Sequence, residues 1–175
     1  MKRKCYSYFM GLLGICVSMA VHSFDGQINF TGNITTPTCR VNNGAGAINV
    51  KLPTVSSSSL SSNGQTAGST DFIIKLSDCD DVPNVGAFFE NSADVSPTDG
   101  RLVNSLNPRS NVQLELINKN LNTIQLGRGE AEQGIQYFDI KNGSANLEYK
   151  VRYYATGQAL PGAVQAATTF LLVYP

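Results

Sequence analysis

The sequence predicts an all-β protein, an antiparallel β-sandwich, and three observations carry that expectation. Apolar and polar residues alternate along a succession of short runs. Clusters of Gly, Pro, Asn and Asp, such as "VSPTDGR" and "KNGS", separate those runs. No stretch carries the 3.6-residue periodicity of a long amphipathic helix, and the composition, with no Trp and abundant Gly, Asn, Ser and Thr, suits many short strands joined by turns.

The chain opens with Lys2-Arg3-Lys4 and the apolar stretch "YFMGLLGICVSMAV", then reaches Val21-His22-Ser23, where Val21 and Ser23 sit at the positions a signal peptidase reads. Residues 1–23 are therefore expected to be a secretory signal peptide, and the mature protein to be exported and soluble. The apolar run is too short for a comfortable membrane span, and no later segment approaches about 20 apolar residues. Cleavage removes Cys5 and Cys16, so Cys39 and Cys79 are left to form one disulfide in an oxidising compartment. Loss of Lys2, Arg3 and Lys4 from 13 basic side chains leaves 10 against 13 acidic ones, a formal charge of −3. That balance offers no basic patch for nucleic acid.

The first mature segment, "FDGQINFTGNITTPTC" (24–39), alternates as a strand does, with Ile28, Phe30, Gly32 and Ile34 on one face and Gln27, Asn29, Thr31 and Asn33 on the other. Glycine in the apolar row packs nothing and loses backbone entropy, so its presence there requires a reason. Alternation resumes at "AINVKL", "DFIIKL", "VGAFFE", "NVQLELIN", "NTIQLG", "IQYFDI", "NLEYKVRYYA" and "VQAATTFLLVYP". The low-complexity tract "VSSSSLSSNGQTAGST" (55–70) reads as a mobile surface loop within one domain. About 150 mature residues are enough for a single domain with a proper core.

Catalytic chemistry is scarce. The one histidine leaves with the signal peptide, and with it the commonest general base and most zinc and nucleophile arrangements. "GRGE" and "GAGA" lack the spacing of a phosphate loop. Asp78, Asp80 and Asp81 around Cys79 form the best acidic cluster, but three carboxylates beside a disulfide read as a solvated turn rather than a metal site. Asn33-Ile34-Thr35 and Asn142-Gly143-Ser144 match the N-glycosylation pattern, which matters only in a host that glycosylates. No catalytic residue, cofactor or metal is expected.

Taken in order, these features resemble a chaperone-usher pilin of the type 1 fimbrial kind. The resemblance rests on the alternating N-terminal segment with Gly32 seven residues before Cys39, on "DFIIKLSDC" leading to Cys79, and on "VRYYATGQALPGAVQAATTFLLVYP" with its paired tyrosines, Pro-Gly turn and penultimate tyrosine. It covers essentially the whole mature chain. The final Pro175 departs from the polar last residue of many relatives.

The resemblance implies an incomplete immunoglobulin-like β-sandwich, lacking its last strand and completed by a donor strand from a neighbouring subunit. It divides the chain into a signal peptide (1–23), an N-terminal donor-strand extension (24–37) and a pilin domain (38–175). Ile28, Phe30, Gly32 and Ile34 would be the donor row, with Gly32 at a slot that admits no side chain. Phe170, Leu172 and Tyr174 would line the groove and pair with a periplasmic pilus chaperone, and Cys39 and Cys79 would join the first two strands of the domain. Neighbouring pilin subunits, the chaperone, an outer-membrane usher and, through the fibre, host-surface receptors are the implied partners. The implied function is that of a structural fimbrial subunit, exported through the periplasm to the cell surface, that polymerises by donor-strand exchange and supports cell adhesion. A secreted β-sandwich carbohydrate-binding module or a minor tip or adaptor adhesin is the competing reading. A secreted hydrolase is disfavoured by the missing histidine.

Overall fold

Two antiparallel sheets face each other in the computed structural model, which describes residues 28–32, 39–79 and 82–175. The chain divides into two units, Met1–Thr35 and Thr36–Pro175. The first is described only at 28–32, which carry no regular structure. In the second, β1 (Arg40–Val41), β2 (Thr66–Ser77), β7 (Ala145–Ala155), β5 (Val112–Asn118) and β4 (Leu102–Val103) lie side by side in that order. The smaller sheet runs β6 (Phe138–Asp139), β3 (Asn84–Phe89), β8 (Phe170–Val173). The one α-helix among the described residues is the single turn Glu130–Gln133.

Period-2 alternation builds the core. Phe72, Ile74 and Leu76 of β2 point inward with Leu147, Tyr149 and Val151 of β7 and Leu114 and Leu116 of β5. Val85, Ala87 and Phe89 of β3 meet them from the other sheet. Tyr149 sits at the centre, its ring 5.3 Å from Phe89 in an edge-on contact, 5.8 Å from Phe72 and 5.9 Å from Phe138. Burial pushes its phenol up to about 12, against a smaller downward pull from the backbone of Ala87, which approaches without completing a hydrogen bond.

The β6–β7 connection is the expected "KNGS" turn: Asn142 and Gly143 both have positive φ (50° and 70°), which suits the tight hairpin type. Gly86 is required by crowding. A Cβ there would stand 2.6 Å from the Ile135 side chain, where the 135–137 segment crosses β3.

Some expectations change. The serine-rich tract is not a loop throughout: Leu60 within it is buried, and Thr66–Thr70 already belong to β2, paired with β7 across an irregularity between Ala67 and Thr70. "NTIQLG" forms no strand beyond a bridge from Thr123 to Ile117, although Ile124 and Leu126 are buried as its alternation suggested. "AINVKL" likewise joins no sheet.

Candidate functional site

The site grows out of one strand that outruns its sheet. Along 164–172, Val164, Ala166, Thr168, Phe170 and Leu172 are partly buried while Gln165, Ala167, Thr169 and Leu171 are exposed, a period-2 pattern of strand length, and Val173 and Tyr174 beyond it are both partly buried. Only Phe170–Val173 pair with β3, from Phe89↔Phe170 to Gly86↔Val173.

The amide of Glu90 donates to the carbonyl of Thr169 at 2.9 Å, which sets the phase of this antiparallel ladder. Backbone groups of alternate residues then face opposite edges: Thr169, Leu171 and Val173 bond toward β3, while Phe170 and Leu172 turn theirs outward. Upstream, the backbones of Val164, Ala166 and Thr168 make no hydrogen bond among the described residues. The even-numbered residues thus combine apolar or small side chains aimed at the core with main-chain groups aimed at an open edge.

A second run is open in the same way. Ile48, Val50 and Leu52 pack on the core cluster that also receives Val164, Ala166, Phe170, Leu172 and Tyr174. Asn49, Lys51 and Pro53 between them are exposed. Across 48–54 the sole hydrogen bond among the described residues is from the Tyr153 hydroxyl to the Pro53 carbonyl, 3.3 Å. "AINVKL" therefore has the pattern of a strand without a neighbour to make it one. The two open runs meet at a cavity of roughly 390 Å³, lined by Val55, Leu60, Tyr153, Ala159, Leu160 and Val164 among others.

Cys39 and Cys79 are bonded, tying the start of β1 to the end of β2. Asp78 pairs with Arg40 at 3.6 Å on the surface; Asp80 and Asp81 lie outside the described residues, and no three metal-ligating side chains cluster among those that are described. Ile28 and Phe30 are 78% and 89% exposed. Gly32 has room for a Cβ, with no described atom within 4 Å, so the described part of its own chain supplies no reason for glycine. Ile34, the remaining member of the row, lies outside the described residues. Beyond Phe170, Leu172 and Tyr174, the edge also includes Val164, Ala166 and Thr168. Their signal was present in the alternation, but small residues give it little contrast.

A sandwich with two unpartnered edges over one core defines a class of protein whose fold invites a further strand. Comparison with known proteins gives this sandwich its family. The family described as "Type-1 fimbrial protein, A" (FimA) matches residues 52–175, and the chain belongs to that family. The F17 fimbrial protein of Escherichia coli is 36% identical, with 95% of this chain and 97% of the relative aligned. The major fimbrial subunit SMF-1 of Stenotrophomonas maltophilia (strain K279a) is 37% identical, over 89% of this chain and 96% of that protein. Among solved structures, the P pilus rod subunit PapA superposes with a TM-score of 0.61 over 80% of this chain and 100% of that one, at 19% identity, a likeness of fold. The protein is a structural fimbrial subunit, displayed at the cell surface in a fibre whose other pilin subunits are its neighbours.

Proposed function

We propose that this fimbrial subunit polymerises by donor-strand exchange, its extension (24–37) supplying the strand that another copy's pilin domain (38–175) lacks. The observation that carries this reading is the pair of open runs, 48–54 and 164–174, over one shared core. An inserted strand would give hydrogen-bond partners to the outward groups of Phe170 and Leu172 and cover the apolar side chains of Phe170, Leu172 and Tyr174. Ile28, Phe30, Gly32 and Ile34 are the donor row. Every strand pair among the described residues is antiparallel, and a donor that keeps that rule against β8 carries Ile34 toward the cavity beside Val164.

Before assembly, a periplasmic chaperone lends a strand to the same edge and an outer-membrane usher receives the complex, the signal peptide (1–23) having been removed. The role is structural and non-enzymatic, and adhesion follows from the fibre. Surface material carrying this chain is expected to run as a ladder in detergent gels when unheated and to collapse to one band after boiling. A lone monomer band in both lanes would sink the proposal.

A further inference from the structure

β8 is too short for the task assigned to it. The row Ile28 to Ile34 spans about 20 Å as a strand, the four residues of β8 about 10 Å, and the whole run 164–174 about 33 Å. The upstream half of the run must therefore present a straight edge, although β3 has ended at Phe89 and no strand among the described residues accompanies it there.

Side chains and one backbone amide bond this part of the run instead. The carbonyl of Ala163 accepts from Asn104 Nδ2 (3.0 Å), that of Gln165 from the Ser105 amide (2.8 Å) and hydroxyl (2.9 Å), and that of Ala167 from Ser92 Oγ (3.2 Å). The Gln165 amide donates to Asn104 Oδ1 (3.1 Å), and the Ala167 amide to Asp94 Oδ2 (2.8 Å). Asn104 is only 1% exposed, and its amide also donates to Ser110 Oγ (3.2 Å) and accepts from the Leu106 amide (3.2 Å), so all four of its bonds are made. Each of these contacts grips an odd-numbered residue. None touches the backbone of Val164, Ala166 or Thr168.

We infer that Asp94 and Asn104 are positioning residues for strand acceptance. They hold 163–167 extended from behind, so that the outward groups of Val164, Ala166 and Thr168 continue the edge begun by Phe170 and Leu172. This rests on the donor-strand reading and adds which residues make the acceptor long enough. The clamp, four side chains and the Ser105 amide, occupies one edge of 163–167 and leaves the other free.

The test uses the full chain and a synthetic peptide of residues 24–38, with amide exchange followed site by site. In the unaltered chain, the peptide should slow exchange at Val164, Ala166, Thr168, Phe170 and Leu172. Asp94→Ala removes the charged acceptor of the Ala167 amide, and peptide protection at 164–168 should fall about tenfold while that at Phe170 and Leu172 persists. Asp94→Asn keeps an acceptor oxygen and should restore it. A merely structural role would lower the melting temperature and reduce protection evenly from 164 to 172. That even loss, unchanged protection in Asp94→Ala, or failure of Asp94→Asn to rescue each overturns the inference while leaving donor-strand exchange standing. Absence of peptide binding to the unaltered chain overturns the donor-strand reading and this inference with it.

Discussion

Arg152 grips the carboxylate of Glu115 through two guanidinium nitrogens, Nε at 2.7 Å and Nη2 at 2.6 Å, across the β5–β7 pair. Glu115 is 2% exposed, and Arg101, stacked on the ring of Tyr154, reaches its other oxygen at 3.0 Å. Glu115→Ala leaves two half-buried arginines facing each other without their shared anion, with Asp99, 3.2 Å from Arg101, as the carboxylate that remains. The expected loss is about 3–5 kcal/mol, read as a fall of about 10 °C in melting temperature for a domain of this size.

Neighbouring leucines of the open strand should behave oppositely. Leu171 is 51% exposed, whereas the side chain of Leu172 packs on the core. Leu171→Ser should leave subunit yield and fibre formation near wild type. Leu172→Ser removes part of the about 1.5–3 kcal/mol that full burial of a leucine brings and should lower both, measured as periplasmic subunit and as heat-dissociable polymer.

For Gly32, the expected behaviour is a separation of folding from assembly. Gly32→Arg meets open space within the described chain, so the pilin domain should melt as wild type does. Incorporation into fibres should nevertheless be abolished, because the donor-strand proposal sets this glycine at a slot in a neighbour that admits no side chain. Normal fibres from this variant would refute the slot assignment.

Tyr149 couples stability to alkaline pH. Its folded value near 12 lies above the ordinary 10, so the native state holds its proton more tightly than the unfolded chain. The stability this contributes is complete below pH 10 and is lost as pH rises from 10 through 12, amounting to about 2–3 kcal/mol. Denaturant titrations at pH 9 and 12 should show that loss, and Tyr149→Phe should flatten it.

The disulfide closes a separation of 40 residues between β1 and β2. Cys39→Ser should cost about 2–5 kcal/mol, visible as reduced periplasmic subunit levels.

Strands with strong contrast were legible in the sequence: "DFIIKL", "NVQLELIN" and "NLEYKVRYYA" became β2, β5 and β7, the centre of the larger sheet. The serine-rich tract misled because its last residues, Thr66–Thr70, are placed by pairing with β7 and not by their own apolar content. "AINVKL" had the pattern of a strand, but no ladder forms there among the described residues. Asp94 and Asn104 were invisible, since an isolated Asp or Asn in a turn-rich stretch reads the same whether it caps a turn or grips a distant backbone, 73 and 61 positions away.

From Val164 to Pro175 the chain carries no charged side chain. Exposed edges in ordinary β-proteins are guarded by lysines, inward charges or prolines that repel a second edge, and this one has only its terminal Pro175. Along this run the subunit therefore carries little intrinsic defence against pairing with another strand, in contrast to the run 48–54 with its exposed Lys51 and Pro53. On the donor-strand proposal, the order in which strands reach this edge then governs assembly alongside the fit of their side chains.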